Sequence, residues 1–250
     1  MNSNEAEARL NGTALWYTGR RRAELRTMPL PAPGPGEAVV RTLYTALSRG
    51  TERLVFEGRV SAMESARMRA PMQEGDFPHP VKYGYCAVGV VEDGPAGLAG
   101  RTVFALHPHQ DRFVAPVDSL VPVPEGVPAR RAVLAANMET ALNALWDSGA
   151  GPGDRILVVG AGVVGLLVGY LAARLPGAEA TVSDIELSRG GTAHRLGCRF
   201  QKPLDAPVDQ DVVFHASASS AGLACALACA GDEATIVEMS WYGDAPVTAP

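Results

Sequence analysis

Between Arg155 and Arg174 lies the stretch that most limits how this chain can fold: from Ile156 to Ala173, eighteen residues pass without a charge. By hydropathy alone such a run is long enough to cross a bilayer. Its internal order argues otherwise. Ile156-Leu157-Val158-Val159 is an aliphatic block of the buried-strand type, and Gly160, Gly162 and Gly165 interrupt the run before a helix-like apolar segment. Strand, turn and helix account for it better than a membrane span.

The interruption, Gly160-Ala161-Gly162-Val163-Val164-Gly165, fits the pattern G-x-G-x-x-G. Glycine makes up 27 of the 250 residues, so the letters alone carry little weight. Context adds it: the motif follows a strand, opens a helix, and precedes a second strand that ends in Asp184, 19 residues beyond Gly165. In this setting Gly160 makes the tight turn, Gly162 lets the backbone approach a pyrophosphate, and Gly165 lets helix and strand pack closely. The amides of Val163 and Val164 at the helix N-terminus then face the phosphates. Asp184 is expected to accept hydrogen bonds from the adenosine ribose and to repel a 2′-phosphate, which favours NAD over NADP as cofactor. Arg189 either flanks the adenine or is a solvated arginine at a helix start. The alternative for the whole constellation is a structural glycine turn before an ordinary helix.

The rest of the chain divides at Val127. From Thr13 to Pro124 short strand-like runs (Ala14–Tyr17, Ala38–Tyr44, Cys86–Val91, Thr102–Leu106, Arg112–Ala115) alternate with Pro/Gly turns. A linking helix is predicted over Ala129–Gly149. After it come strand Arg155–Val159, helix Val163–Leu175, strand Ala180–Ser183, helix Leu187–Leu196, strand Asp211–His215, helix Ala221–Ala230 and strand Ala234–Met239. Strands alternating with helices imply a doubly wound parallel sheet. The expected domains are therefore 1–127, mostly β, and 128–250, α/β. Residues Arg59–Pro71 read as a short helix, either a surface helix packing Met63 and Met68 or a substrate lid.

Charge and cysteine usage exclude several classes. With 22 Lys+Arg against 27 Asp+Glu and a net charge of −5, no basic excess suits a nucleic acid. The 47% hydrophobic content is too high for a disordered chain. Cys86, Cys198, Cys225 and Cys229 contain no C-x-x-C pair, which fits neither a zinc ribbon nor a disulfide framework. Met1–Asn11 lacks the apolar core of a secretory signal, so a reducing cytoplasm is the expected compartment.

The order of parts, together with Gly151-Pro152-Gly153-Asp154-Arg155 leading into Ile156–Gly162, resembles the medium-chain dehydrogenase/reductase superfamily, the zinc-type alcohol dehydrogenase group. The resemblance implies a GroES-like catalytic domain followed by a Rossmann domain, and an oxidoreductase. Zinc-dependent members carry Cys-Gly-Thr-Asp and Gly-His-Glu motifs; here the matching segments are Arg49-Gly50-Thr51-Glu52 and Gly84-Tyr85-Cys86. The third ligand slot, four residues before a nicotinamide-facing Thr that matches Thr140, is Ala136. A guanidinium cannot be deprotonated to bind zinc and alanine has no donor, so no metal is expected. Ser48–Glu52 and Gly84-Tyr85 are also similar to the bacteriochlorophyllide hydroxyethyl dehydrogenase branch, whose pigment substrate is not carried over. Members exceed 300 residues, so the chain is expected to be short at its C-terminus, with an incomplete Rossmann sheet, lower stability and a tendency to associate.

From the resemblance, Arg49 is expected to replace zinc electrostatically, with Tyr85 or Thr51 as hydrogen-bond donor or proton relay. A salt bridge from Arg49 to Glu52 or Glu139 is the structural alternative. His107 and His109 are a metal pair or hydrogen-bonded loop histidines. Glu139 is a buried acid or a solvated helix residue. Trp241-Tyr242-Gly243 lines a nicotinamide pocket or packs in the core. The expected partner is a small-molecule substrate (alcohol, carbonyl or enone), with no nucleic acid and no membrane, and with room for a homo-oligomer. A catalytically silent dinucleotide-binding protein is the second reading.

Overall fold

The structure, a computed structural model, describes residues 10–243 and 246–248. It divides into two compact units, Met1–Ala136 and Asn137–Pro250.

The first unit is built on β-sheets. Strands β1 (Asn11–Gly19), β2 (Arg22–Pro29) and β3 (Glu37–Thr45) precede the short helices α1 (Thr51–Phe56) and α2 (Ser65–Met68). Then follow β4 (Glu74–Gly75), β5 (Val81–Lys82), β6 (Ala87–Asp93), β7 (Thr102–Ala105), β8 (Arg112–Pro116), β9 (Leu120–Pro122) and helix α3 (Ala129–Ala132). They form antiparallel sheets of order β2-β1-β5-β4 and β8-β3-β6-β7-β9. Inward positions of the second sheet, among them Val40, Val91, Val103 and Phe113, make its core. Successive side chains of a strand face opposite sides, so Ala38 and Val40 enter this cluster together.

The second unit begins in helix α4 (Ala135–Ser148), which ends at Gly149 with φ +70°, the left-handed conformation glycine adopts without a Cβ penalty. The alternation that follows is β10 (Arg155–Val159), α5 (Val163–Ala172), β11 (Glu179–Ser183), α6 (Gly190–Arg195), β12 (Arg199–Gln201), β13 (Gln210–His215), α7 (Ser220–Cys229) and β14 (Ala230–Glu238). All pairings are parallel, in the order β12-β11-β10-β13-β14. Alternation along β10 splits its side chains between two cores: Ile156 and Val158 join Val168 and Ala172 of α5, while Leu157 and Val159 join Ala226 and Cys229 of α7. This is why the strand is apolar at every position after Arg155, and why the uncharged run reads as strand, turn and helix. Among the described residues no helix is long and apolar enough to cross a membrane.

Three expectations need correction. The helix predicted over Arg59–Pro71 is only α2: a turn joining Ser61 and Glu64 holds its start, and Ala70 precedes a proline, where helical backbone is disfavoured. Met68 is buried there, but Met63 is 92% exposed. The linking helix over Ala129–Gly149 is two helices, broken where Val133 turns into a cluster with Cys86, Val88 and Phe104. Strands β2, β4, β5, β9 and β12 lie outside the predicted set, because β2 is almost wholly exposed and the other four have only two or three residues each, so none carries an alternating apolar signal.

Candidate functional site

In the second unit the switch in strand order lies between β10 and β13, where parallel sheets of this kind open a crevice at their carboxyl ends. Gly160 leaves β10 with φ +111°, and a Cβ there would come within 2.9 Å of the Ala216–Ser217 backbone, so a side chain is excluded by both conformation and space. A Cβ on Gly165 would stand 1.9 Å from the Gly160 carbonyl oxygen; its absence lets α5 start directly against the turn. A Cβ on Gly162 would meet nothing within 4 Å. Gly162 is the N-cap of α5 and no side chain caps the helix, so the amides of its first turn, Val163 and Val164 included, have neither an intrahelical acceptor nor a capping side chain.

Asp184 follows β11 and is 9% exposed. One carboxylate oxygen accepts from the Ala161 amide at 2.6 Å and from the Arg189 guanidinium at 2.8 Å, and the other accepts from the Glu186 amide at 2.8 Å. The sequence-predicted residues Gly160, Gly162, Val163, Val164, Gly165, Asp184 and Arg189 are thus one constellation in space, with Arg189 paired to the acid rather than solvated. Thr140 stands exposed on α4, an element separate from this turn, and Glu139 beside it is exposed and hydrogen-bonded to Asn143, so it is not a buried acid.

In the first unit the motif residues take different places. Thr51 opens α1, and the Tyr85 hydroxyl hydrogen-bonds to the Ser48 and Thr51 side chains; burial nevertheless pushes the Tyr85 phenol up, so it stays protonated. Arg49 is exposed. It makes no salt bridge with Glu52, whose oxygens are taken by the Tyr17 hydroxyl at 2.8 Å, His109 Nε2 at 2.6 Å and the Ser48 amide at 2.7 Å.

Sequence reasoning missed this buried network. Glu52 is 3% exposed and His109 5%, and the other ring nitrogen of His109 meets the Thr45 hydroxyl. Lys82, 3% exposed, pairs with Glu74 and Gln110. Glu52 stands between Thr51 and Arg53, so its local sequence reads as a solvated helix start and does not announce a buried acid. For His109 and Tyr17 only the fold brings the partners together. His107 has separate company: its ring stacks on Phe113 with centroids 3.7 Å apart, Nδ1 lies 2.9 Å from the Pro108 carbonyl, and burial pushes the imidazole down to about 4. The two histidines therefore do not converge on one ion.

Zinc, which the fold family implies, does not fit the donors present: Arg49 and Ala136 offer no ligand atom, and the Tyr85 hydroxyl is engaged by Ser48 and Thr51. Among the described residues no three His, Cys, Asp or Glu side chains are grouped to hold an ion. A dinucleotide does fit the second unit, where Gly162 leaves the helix N-terminus uncovered and Asp184 sits at its edge.

No protein-family model matches the chain. Solved structures do resemble it. A short chain alcohol dehydrogenase from Escherichia coli CFT073, complexed with NADH, superposes with a TM-score of 0.78 at 16% identity, over 96% of this chain and 79% of that one. A thermostable alcohol dehydrogenase from Pyrobaculum aerophilum gives 0.77 at 20% identity, over 96% and 80%. CAD from Helicobacter pylori, complexed with NADP(H), gives 0.75 at 12% identity, over 94% and 77%. At these identities the likeness is one of fold: this chain has the GroES-like and Rossmann architecture of the alcohol dehydrogenases.

Proposed function

We propose that the protein is an oxidoreductase dependent on a nicotinamide dinucleotide, preferring NAD(H), that acts without zinc on an alcohol, carbonyl or enone. The observation that carries this reading is the Asp184 carboxylate fixed on the Ala161 amide at the uncovered N-terminus of α5. The amides after Gly162 would bind the pyrophosphate, favoured by the positive end of the helix dipole. Asp184 would accept from the adenosine ribose hydroxyls, with Arg189 holding its carboxylate in place. The same negative charge opposes a 2′-phosphate.

The bound dinucleotide supplies or receives the hydride. The protein's own contribution is to steady the substrate oxygen as its charge develops. Tyr85, kept protonated by burial, is the donor assigned to that oxygen, and Thr51, hydrogen-bonded to it, passes the proton on. Arg49, exposed and outside any salt bridge with Glu52, supplies the positive charge that zinc provides elsewhere.

Calorimetric titration with NADH and NADPH, followed by a nicotinamide absorbance screen over alcohols, aldehydes and enones, tests the reading. Binding of neither dinucleotide would sink it. Elemental analysis of protein prepared without chelators tests the zinc statement: one zinc per chain refutes it.

A further inference from the structure

The second unit carries a further group of polar side chains at the end of β13, next to the Gly160 turn, to which the dinucleotide reading gives no chemical role. Strand β13 ends at His215, whose ring is completely buried, and its two nitrogens have different partners. Nε2 lies 2.6 Å from the Ser217 hydroxyl. Nδ1 lies 2.7 Å from a Glu238 carboxylate oxygen, reached because His215 and Glu238 stand opposite each other in the β13–β14 register.

The carboxylate is fixed in turn. The Ser240 amide donates to its other oxygen at 2.7 Å, and the Tyr242 hydroxyl donates to the first at 3.0 Å. Burial alone would raise Glu238, but hydrogen bonds from His215 and Ser240 outweigh it and hold the acid below its ordinary value. Burial and Glu238 push the Tyr242 phenol up to about 12, so it remains a donor. An ionised carboxylate only accepts. Nδ1 therefore carries the imidazole proton, and the Nε2 lone pair faces the serine hydroxyl.

The surroundings of Ser217 leave it usable. It is half-buried at the rim of the unit, 3.0 Å from the hydroxyl of Ser219, which is exposed. A Cβ on Gly222 would stand 1.9 Å from the Ser217 oxygen and 2.8 Å from Nε2, so glycine in the first turn of α7 is what makes room for the pair. The amides opening that ten-residue helix have no intrahelical acceptors and carry the positive end of its dipole.

We propose that Ser217, His215 and Glu238 form an acyl-transfer site for small uncharged carboxylic esters, with Ser217 as nucleophile, His215 as general base and acid, and Glu238 as the group that orients the ring. The arrangement meets the geometric requirement for an activated nucleophile: a base within hydrogen-bond reach, itself oriented by a third group. The Ser217 oxygen attacks the ester carbonyl carbon while its proton passes to Nε2. The carbon–alkoxy bond breaks, and the leaving alkoxide takes that proton as the free alcohol. Water, deprotonated by the same nitrogen, then releases the acyl group as carboxylic acid and restores Ser217. No electrons are gained or lost. Substrates are uncharged because Glu238 repels an anionic acyl chain, and small because the Ser217 hydroxyl is half-buried with the Ser219 hydroxyl 3.0 Å away.

The test uses the full chain with no dinucleotide present, so its outcome is independent of cofactor binding. A fluorophosphonate probe is added and the adduct is mapped by mass spectrometry, alongside hydrolysis of p-nitrophenyl acetate. The expected result is one adduct per chain on Ser217, absent in S217A, with labelling and hydrolysis at least tenfold slower in E238Q. A purely structural hydrogen bond would not give a labelled serine. Because H215Q alters a buried side chain and risks the fold, the decision rests on the wild-type adduct site and on E238Q. Folded wild-type protein, verified by circular dichroism, that shows no adduct or an adduct only elsewhere overturns the proposal, as does an unchanged labelling rate in E238Q.

Discussion

Replacing Asp184 by serine separates the charge of the nucleotide site from its shape. The carboxylate is 9% exposed and makes three hydrogen bonds, to the Ala161 and Glu186 amides and to Arg189. Serine can still approach one amide, but it leaves the guanidinium without its counter-charge. A unit charge pair about 4 Å apart interacts by about 1 kcal/mol in water and about 4 kcal/mol at an effective dielectric constant near 20. The rim of this site lies between those limits, so removing the repulsion on a 2′-phosphate should shift the NADPH-to-NADH affinity ratio by about 1–3 kcal/mol. At about 1.4 kcal/mol per tenfold, that is a change of roughly 5- to 140-fold in favour of NADPH. NADH itself should bind more weakly, because its ribose hydroxyls lose an acceptor. Calorimetry with both dinucleotides on wild type and D184S measures the ratio directly, and a thermal melt checks that the variant is folded. An unchanged ratio in folded D184S would refute the assignment of Asp184 to the adenosine ribose.

Three further outcomes follow from other parts of the structure. Gly165→Ala places a methyl 1.9 Å from the Gly160 carbonyl oxygen, a backbone atom, and should cost about 1–3 kcal/mol of stability, read as a lowered Tm and lost dinucleotide binding; an unchanged melt would show that α5 can slide away from the turn. His107, pushed down to about 4 by burial from an ordinary value of 6.5, binds a proton in the unfolded chain before it does in the folded one. Stability from this group is therefore complete above about pH 6.5 and lost as pH falls toward 4, by up to about 3 kcal/mol; urea midpoints across that window should fall more steeply for wild type than for H107Q. Tyr85→Phe should lower kcat by roughly 10²-fold with any substrate found, leaving NADH affinity unchanged, since only the proposed donor is removed; an unaltered kcat would reassign Tyr85 to a structural role.

Much of the second unit was legible in the sequence because it depends on near neighbours. Val159, Gly160 and Gly162 lie within one strand-turn-helix, so a spacing rule suffices to place the turn, and the aliphatic block at 156–159 announces a strand buried on both faces. The β-rich character of the first unit was legible for the same local reason, in its short apolar runs and Pro/Gly turns. Strand β2 was not, since seven of its eight positions are exposed and its formation depends on pairing with β1. The long-range partnerships were also beyond sequence. Glu52 of α1 finds His109 of the loop before β8 across 57 residues, and His215 finds Glu238 across 23, set opposite it by the parallel β13–β14 register. The sequence alone determined which segments could be buried and where a phosphate-binding turn could form. Which polar side chains then share one buried space was decided by tertiary structure, because a buried donor or acceptor must find its partner among whatever the fold brings within hydrogen-bond reach.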